Sequence, residues 1–225
     1  MRVDVLRPWS GPLEAVEGCA VILDVFRASN TILALLASGA SEVLLVADLT
    51  EALDIKSRHP AWPLLGERGG LPPEGFDGGN SPAAAERMSL SGPVVLTTSA
   101  GTQGACRLRR AGRVLVGSFA NATAVAEAVR IRSEPRVTLL PMGLEATSPA
   151  DEDEAAAWYL RDLLAGRRPS VAGIRERLLR SPGADRLRRL GQEDDLDWCL
   201  RVDTTSLVPE VVAGTPPRAV VRSTS

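Results

Sequence analysis

The chain has a single histidine, His59, and a single lysine, Lys56, and both sit in a polar stretch that ends at Pro60. One imidazole cannot assemble a His-rich dinuclear phosphoesterase, and a Ser/His/Asp triad would depend on His59 alone. No Gly-Lys-Ser/Thr run exists, which excludes a P-loop. Arg58-His59 lacks the Gly and Arg that complete the histidine-phosphatase pattern, and the residue six after Cys106 is Gly112, so the Cys-x5-Arg signature of protein tyrosine phosphatases fails as well. The three cysteines, Cys19, Cys106 and Cys199, are odd in number, widely spaced and set among apolar or helical residues, and they read as reduced packing residues. Long apolar runs are missing: none reaches the roughly 18 to 20 residues that span a bilayer. Met1-Arg2-Val3-Asp4 begins no signal peptide, and a cytoplasmic protein is expected. A net charge of −2 with acids and bases interspersed leaves no footprint for nucleic acid or for an anionic membrane surface. The expected partner is a small ligand.

At 225 residues with 44% hydrophobic content, the chain suits a single α/β domain over 1–225, or two small lobes, with C-terminal helices over 151–200. Short apolar runs at 3–6, 20–23, 43–46, 94–96, 114–116 and 137–140 predict strands, 62–65 is a run that leads into a glycine-rich loop, and helical spacing separates most of them. This alternation predicts a mixed or mostly parallel sheet flanked by helices, in which ligands bind beyond the carboxyl ends of the strands. Thr50 is expected to cap the second helix. The tail after Pro209 reads as Pro-containing chain with loose final residues.

Polar turns follow the apolar runs, and those after Leu23, Leu65, Leu96 and Val116 are expected to line one cleft. The first begins at Asp24 and carries Arg27, and the third is Thr97-Thr98-Ser99-Ala100-Gly101-Thr102. The fourth is Gly117-Ser118-Phe119-Ala120-Asn121. Between them lies the most unusual stretch, residues 66–82, where glycines and prolines alternate with Glu67, Arg68, Glu74 and Asp77 and almost nothing could build a core. Such a loop is shaped by its prolines and brings backbone close to a ligand through its glycines. Its carboxylates are the hard oxygen ligands that Mg²⁺ prefers, and Arg68 offers a forked donor for an oxyanion. Ser81-Pro82 reads as an N-cap and first helical residue. The run 151–154 is all acidic; it suits a helix N-terminus, and one member is a candidate metal ligand.

Taken together, Asp24-Val25-Phe26-Arg27-Ala28-Ser29, Gly66-Glu67-Arg68-Gly69, Gly75-Phe76-Asp77 with Gly79-Asn80-Ser81-Pro82, Thr97-Thr98 with Gly101-Thr102, Gly117-Ser118 with Asn121, Glu152-Asp153, and Cys199-Leu200 with Asp203 resemble the 2-phosphosulfolactate phosphatase family. That family comprises Mg²⁺-dependent phosphatases associated with coenzyme M biosynthesis, and its fold is an α/β arrangement of its own kind. The family's Thr-Asn-Gly-Thr turn stands here as Ser99-Ala100-Gly101-Thr102. The resemblance implies Mg²⁺ as cofactor, held by Glu67 and Asp77 with Asp153 or Glu152, and a catalytic group of Asp24, Arg27 and Arg68. Arg27 and Arg68 would clamp phosphate or a second acid group. Ser29, Asn80, Ser81, Thr98, Thr102, Ser118 and Asn121 would bind the substrate, a small phosphorylated acid. Asp24 has several open roles: nucleophile, water-positioning group, metal ligand or helix cap. Two other readings share these residues, a non-catalytic phosphometabolite-binding protein and a Mg²⁺-dependent lyase on a small phospho-acid. A homo-oligomer is compatible with all of them.

Overall fold

The computed structural model describes residues 1–221, and strands and helices alternate as the apolar spacing predicts. In chain order the elements are β1 (Arg2–Val5), β2 (Cys19–Leu23), α1 (Ala28–Ala37), β3 (Val43–Leu45), α2 (Leu49–Arg58), β4 (Leu64–Gly66), α3 (Pro82–Glu86), β5 (Val94–Thr97), α4 (Gly101–Arg107), β6 (Arg113–Gly117), α5 (Ala122–Ile131) and β7 (Arg136–Pro141). Four helices follow, α6 (Asp151–Leu164), α7 (Ala172–Leu178), α8 (Pro182–Arg189) and α9 (Glu193–Cys199), before β8 (Pro209–Val212) and β9 (Arg218–Val221).

Local chemistry sets several boundaries. Ser81 caps α3, its side chain accepting from the Ala84 N–H with Pro82 in the first turn, and Ser181-Pro182 repeats the device at α8. The cap of α2 is Asp48, not Thr50: its carboxylate accepts from the Glu51 N–H at 2.9 Å, and Thr50 lies inside the first turn. A carboxylate serves better there because the helix dipole favours negative charge at that end.

Among the described residues the strands form one sheet in the order β1-β7-β2-β6-β8-β9-β3-β5-β4. The set β1, β7, β2 and β6 is parallel, as is the set β3, β5 and β4. Between them stands the hairpin β8-β9, antiparallel internally and to both neighbours. The chain after Pro209 is therefore the join at the centre of the sheet; residues 222–225, to which the expectation of loose final residues applied, lie outside the described residues. Three antiparallel steps in succession make the two parallel sets run in opposite senses.

β2 is buried along its whole length because helices cover both of its faces. Ala20 and Ile22 pack into one apolar cluster with residues of α1 and α4, while Cys19, Val21 and Leu23 pack into a second with α5 and α6, as strand alternation requires. The first cluster also takes in Val43, Leu45, Val94 and Leu96 of the other parallel set. Within each set the strand-end turns gather at the carboxyl edge, and the two edges meet where the start of α4 lies against the turn after β2. A Cβ at Gly101 would stand 2.8 Å from Asp24 Oδ2, so only glycine lets α4 come this close.

Candidate active site

A cavity of about 280 Å³ opens at this meeting point, a size for a small metabolite. The turn after β2 supplies Asp24, Phe26 and Arg27; the loop after β4 supplies Glu67, Gly70 and Asn80; the turn after β5 supplies Ser99 and Ala100. The fourth expected turn, after β6, is not part of it. Ser118 and Asn121 are buried, with the Ser118 N–H donating to Asn121 Oδ1 at 2.9 Å and Asn121 Nδ2 donating to Val116 O and Leu207 O. In its place come Gly143 after β7, Glu152 and Asp153 at the start of α6, and one face of α8.

The carboxylates form one wall, and each is fastened by backbone. Asp24 is 6% exposed and its Oδ1 accepts from the Ala28 N–H at 3.1 Å, at the start of α1. Glu67 Oε1 accepts from the Ser99 N–H at 2.7 Å and Oε2 from the Gly70 N–H at 2.8 Å. Asp153 Oδ1 accepts from the Val25 N–H at 2.7 Å and Oδ2 from the Gly143 N–H at 2.8 Å, so one side chain ties together the turns after β2 and β7. Glu152 is the exception: its Oε2 is buried without a hydrogen-bond partner among the described residues, and its carboxylate lies against the start of α8, where a Cβ at Gly183 would stand 2.8 and 2.9 Å from its two oxygens.

Such crowding changes the acidity of the group. Burial pushes Asp24 up to about 6, with Glu67 adding to the rise and the N–H groups of Ala28, Gly101 and Arg27 opposing it. Burial pushes Glu152 up to about 7, helped by Asp24 and Asp151. Asp153 is raised well above the usual carboxylate range by burial and then by Asp24 and Glu152. These three acids therefore hold one another towards the protonated form, a tension that an added cation relieves. Among the described residues no group of three or more His, Cys, Asp or Glu side chains is arranged to hold a metal ion. Mg²⁺ does not need such a cage, since it is commonly held by one or two carboxylates, waters and substrate phosphate. The adjacent acids Glu152 and Asp153, one with an unused oxygen, fit that demand.

Of the expected arginine clamp, Arg27 lines the cavity and is 3% exposed, but its guanidinium is engaged: Nη1 donates to Asp195 Oδ2 at 2.6 Å and Nη2 to Gly70 O at 3.1 Å. Asp195, which the sequence reading missed, also accepts from Ser81 Oγ at 2.6 Å and the Ala83 N–H at 3.1 Å. It locks α9 to α1 and α3. Arg68 departs from the clamp altogether, donating to Glu67 O, Ala47 O and Thr97 Oγ1 outside the cavity wall.

Asp77 is placed apart as well. It lies outside the carboxylate wall, bonded to the Leu64 N–H and paired with Lys56 Nζ at 2.7 Å. It pins the loop rather than facing the cavity. Thr98 and Thr102 bond to each other's backbone N–H at the start of α4, and Ser29 Oγ accepts from the Asp24 N–H beneath the site; none of these three lines the cavity. Asn80 does, 3% exposed, and its amide makes no hydrogen bond among the described residues, leaving Oδ1 buried and unpartnered. The cysteines stay outside, with burial pushing Cys19 up to about 12 and Cys106 to about 11. Besides Asp195, sequence reasoning did not find Arg186 and Arg189 of α8, both on the cavity wall. The only signal for them was arginine recurring three residues apart behind a Ser-Pro cap.

Buried carboxylates facing arginines across a metabolite-sized cavity, at the carboxyl ends of parallel strands, form the site of an α/β enzyme. More narrowly, the chain belongs to the 2-phosphosulpholactate phosphatase family, whose sequence model matches residues 5–214. It is 36% identical over 195 residues to a probable 2-phosphosulfolactate phosphatase of Thermoplasma acidophilum, covering 86% of each chain. It is also 33% identical over 230 residues to the protein of the same name from Deinococcus radiodurans, covering 95% of this chain and 94% of that one. A Synechococcus relative, again named probable 2-phosphosulfolactate phosphatase, is 37% identical over 221 residues. No helix among the described residues is long and apolar enough to cross a membrane.

Proposed function

We propose that the protein is a Mg²⁺-dependent phosphatase that hydrolyses the phosphate ester of a small acidic metabolite, with 2-phosphosulfolactate, the compound in its relatives' names, as the first substrate to test. The observation that carries this reading is the wall of buried carboxylates around the cavity, crowded enough to push the pKa values of Asp24, Glu152 and Asp153 above the usual carboxylate range. A site that only bound an anion would gain nothing from concentrated negative charge, whereas a site that holds a cation against a phosphoryl group requires it.

Glu152 and Asp153 are the residues that would hold Mg²⁺. Bound there, the ion would supply positive charge to the phosphoryl oxygens. The chain's own residues do the remaining work. Asp24, raised to about 6, is mostly ionised at neutral pH and still basic enough to take a proton from water, the balance that suits a general base. The water oxygen attacks phosphorus, the bond from phosphorus to the ester oxygen breaks, and the leaving oxygen takes a proton from solvent. Glu67 fixes the Ser99 and Gly70 backbone on either side, and its charge helps to keep Asp24 basic. Asn80 offers its unpartnered amide to the substrate.

The test is phosphate release from a panel of small phospho-acids, measured with Mg²⁺ and with EDTA. Release that needs the metal supports the reading. A metal-loaded protein that binds these esters and cleaves none would turn it into the binding role.

A further inference from the structure

The proposed chemistry leaves the other wall of the cavity unused. The face of α8 turned to the cavity carries Gly183, Arg186, Leu187 and Leu190, the i, i+3, i+4, i+7 positions of one helical stripe. Leu187 and Ala184 dock this helix against Leu196 and Phe26, and Gly183 brings its first turn against the Glu152 carboxylate. The helix is thus seated on the acidic wall. Arg186 rises on the same face one turn later, about 4.5 Å further along the axis.

Arg186 differs from the other arginine lining the deep part of the cavity. Arg27 is consumed by Asp195 and Gly70 O. The Arg186 side chain is 30% exposed, and among the described residues its one ionic neighbour is Glu145 Oε1 at 3.9 Å. It makes no side-chain hydrogen bond among the described residues, although a guanidinium carries five donors. Its end lies beside Gly70, where a Cβ would stand 3.7 Å from Nη2, so it faces the same loop that carries Glu67. Arg189 stands exposed on the same rim.

We propose that Arg186, supported by Arg189 at the rim, is the specificity-determining residue of the site and takes up a second anionic group of the substrate, one carried on the carbon skeleton and distinct from the phosphoryl group. The phosphoryl group belongs at the carboxylate wall, where its cation would be held; a free, forked donor one helical turn away matches a carboxylate or sulfonate on the same small molecule. The preferred class is then phosphate esters of hydroxy acids over phosphate esters of neutral alcohols. This inference rests on the phosphatase reading, and the experiment separates the two.

Turnover of 2-phosphosulfolactate, 2-phospholactate and glycerol 2-phosphate is to be measured for the parent, Arg186→Ala and Arg186→Lys. The expected result is a parent that prefers the acidic esters, with the ratio of kcat/KM for acidic over neutral ester falling tenfold or more in Arg186→Ala and only partly restored in Arg186→Lys. An unchanged ratio in a folded Arg186→Ala overturns the assignment, and the two acidic esters tell a carboxylate reader from a sulfonate reader. A second measurement needs no turnover: sulfolactate and lactate, which lack phosphate, are expected to raise the melting temperature of the parent and not that of Arg186→Ala. Equal rises in both proteins overturn the assignment as well. A parent that cleaves none of the esters but is stabilised by these acids through Arg186 removes the phosphatase reading and keeps this one.

Discussion

The two walls of the cavity are built in opposite ways. The carboxylate wall comes from turns at strand ends and from the start of a long helix, and its members are nearly sealed from solvent, with Asp24, Glu152 and Asp153 at 6%, 5% and 2% exposure. Backbone N–H groups from four separate turns hold its oxygens. The arginine wall comes from α8, eight residues long and set on the outside of the fold, and Arg186 reaches the cavity with its donors unspent. A wall held by backbone keeps the reacting groups in fixed positions, which chemistry requires. A wall made of long side chains on a surface helix adapts to what is bound, which suits recognition. On the proposed function, the reaction and the choice of substrate belong to different parts of the structure, and substitutions in the two walls should differ in kind.

The largest difference is expected in rate. Asp24→Asn keeps the shape and the bond to the Ala28 N–H but removes the base, and kcat should fall on the order of 10² to 10⁴ with the fold retained. Phosphate release and circular dichroism on the same sample check this. A loss within fivefold would take the carboxylate wall out of the chemistry and collapse the contrast.

Stability should separate the two arginines next. Arg27 and Asp195 are both nearly fully buried, 3% and 2% exposed at the side chain, and Arg27→Ala strands a buried carboxylate, at a cost of about 3 to 5 kcal/mol. Arg186→Ala removes no hydrogen bond within the fold and should change stability by no more than about 0.5 kcal/mol. Urea unfolding of the two variants measures both. Equal losses would mean that α8 is as much a structural element as α1.

pH sharpens the contrast from the other side. Asp24 and Glu152 move from ordinary values of 3.8 and 4.5 to about 6 and about 7 in the folded protein. Between those limits the folded state keeps protons that the unfolded chain has released. Their contribution is thus fully present below about pH 4 and is lost as pH rises through 6 and 7. Without metal, the melting temperature should fall by a few degrees from pH 5.5 to 8 on account of these groups, and Asp24→Asn should flatten part of that slope. A parent and variant with superimposable pH profiles would show that the acids are not in competition.

How much of this was legible in the sequence follows from the same contrast. The deep wall was partly readable because Asp24, Glu67 and Asp153 stand directly after apolar runs or at a helix start, where a buried strand delivers its next polar residue to a strand end. Arg186 had no such marker. In a stretch with arginine at 180, 186, 188 and 189, the one that turns inward is fixed by how α8 docks through Leu187, a tertiary fact. The hairpin β8-β9 escaped for a related reason. Its strands are four residues each, and their outer partners β6 and β3 lie far away in the chain, so local pattern shows only short apolar pieces broken by Pro209, Pro216 and Pro217. Arg68 and Asp77 are a different case: the shape of their loop has costs of its own, and these two side chains meet them by bonding backbone.

Asp77 gives the smallest and most diagnostic expectation. Its loop curls back on β4, with the Asp77 N–H donating to Leu64 O and its carboxylate accepting from the Leu64 N–H. Asp77→Asn keeps an oxygen for the Leu64 N–H and loses only the pair with Lys56, which is 43% exposed on the aspartate side and so contributes about 0.5 kcal/mol at most. The Mg²⁺ dependence of turnover should not move, because the side chain faces away from the carboxylate wall. Glu152→Gln is the counterpart: the fold persists, while the Mg²⁺ concentration for half-maximal rate rises severalfold and excess metal restores part of the activity. Titrating Mg²⁺ against turnover for both variants ranks the two carboxylates directly. A raised requirement in Asp77→Asn with none in Glu152→Gln would move the metal out of the cavity and into the glycine-rich loop, and the division between a reacting wall and a recognising wall would have to be redrawn around that loop.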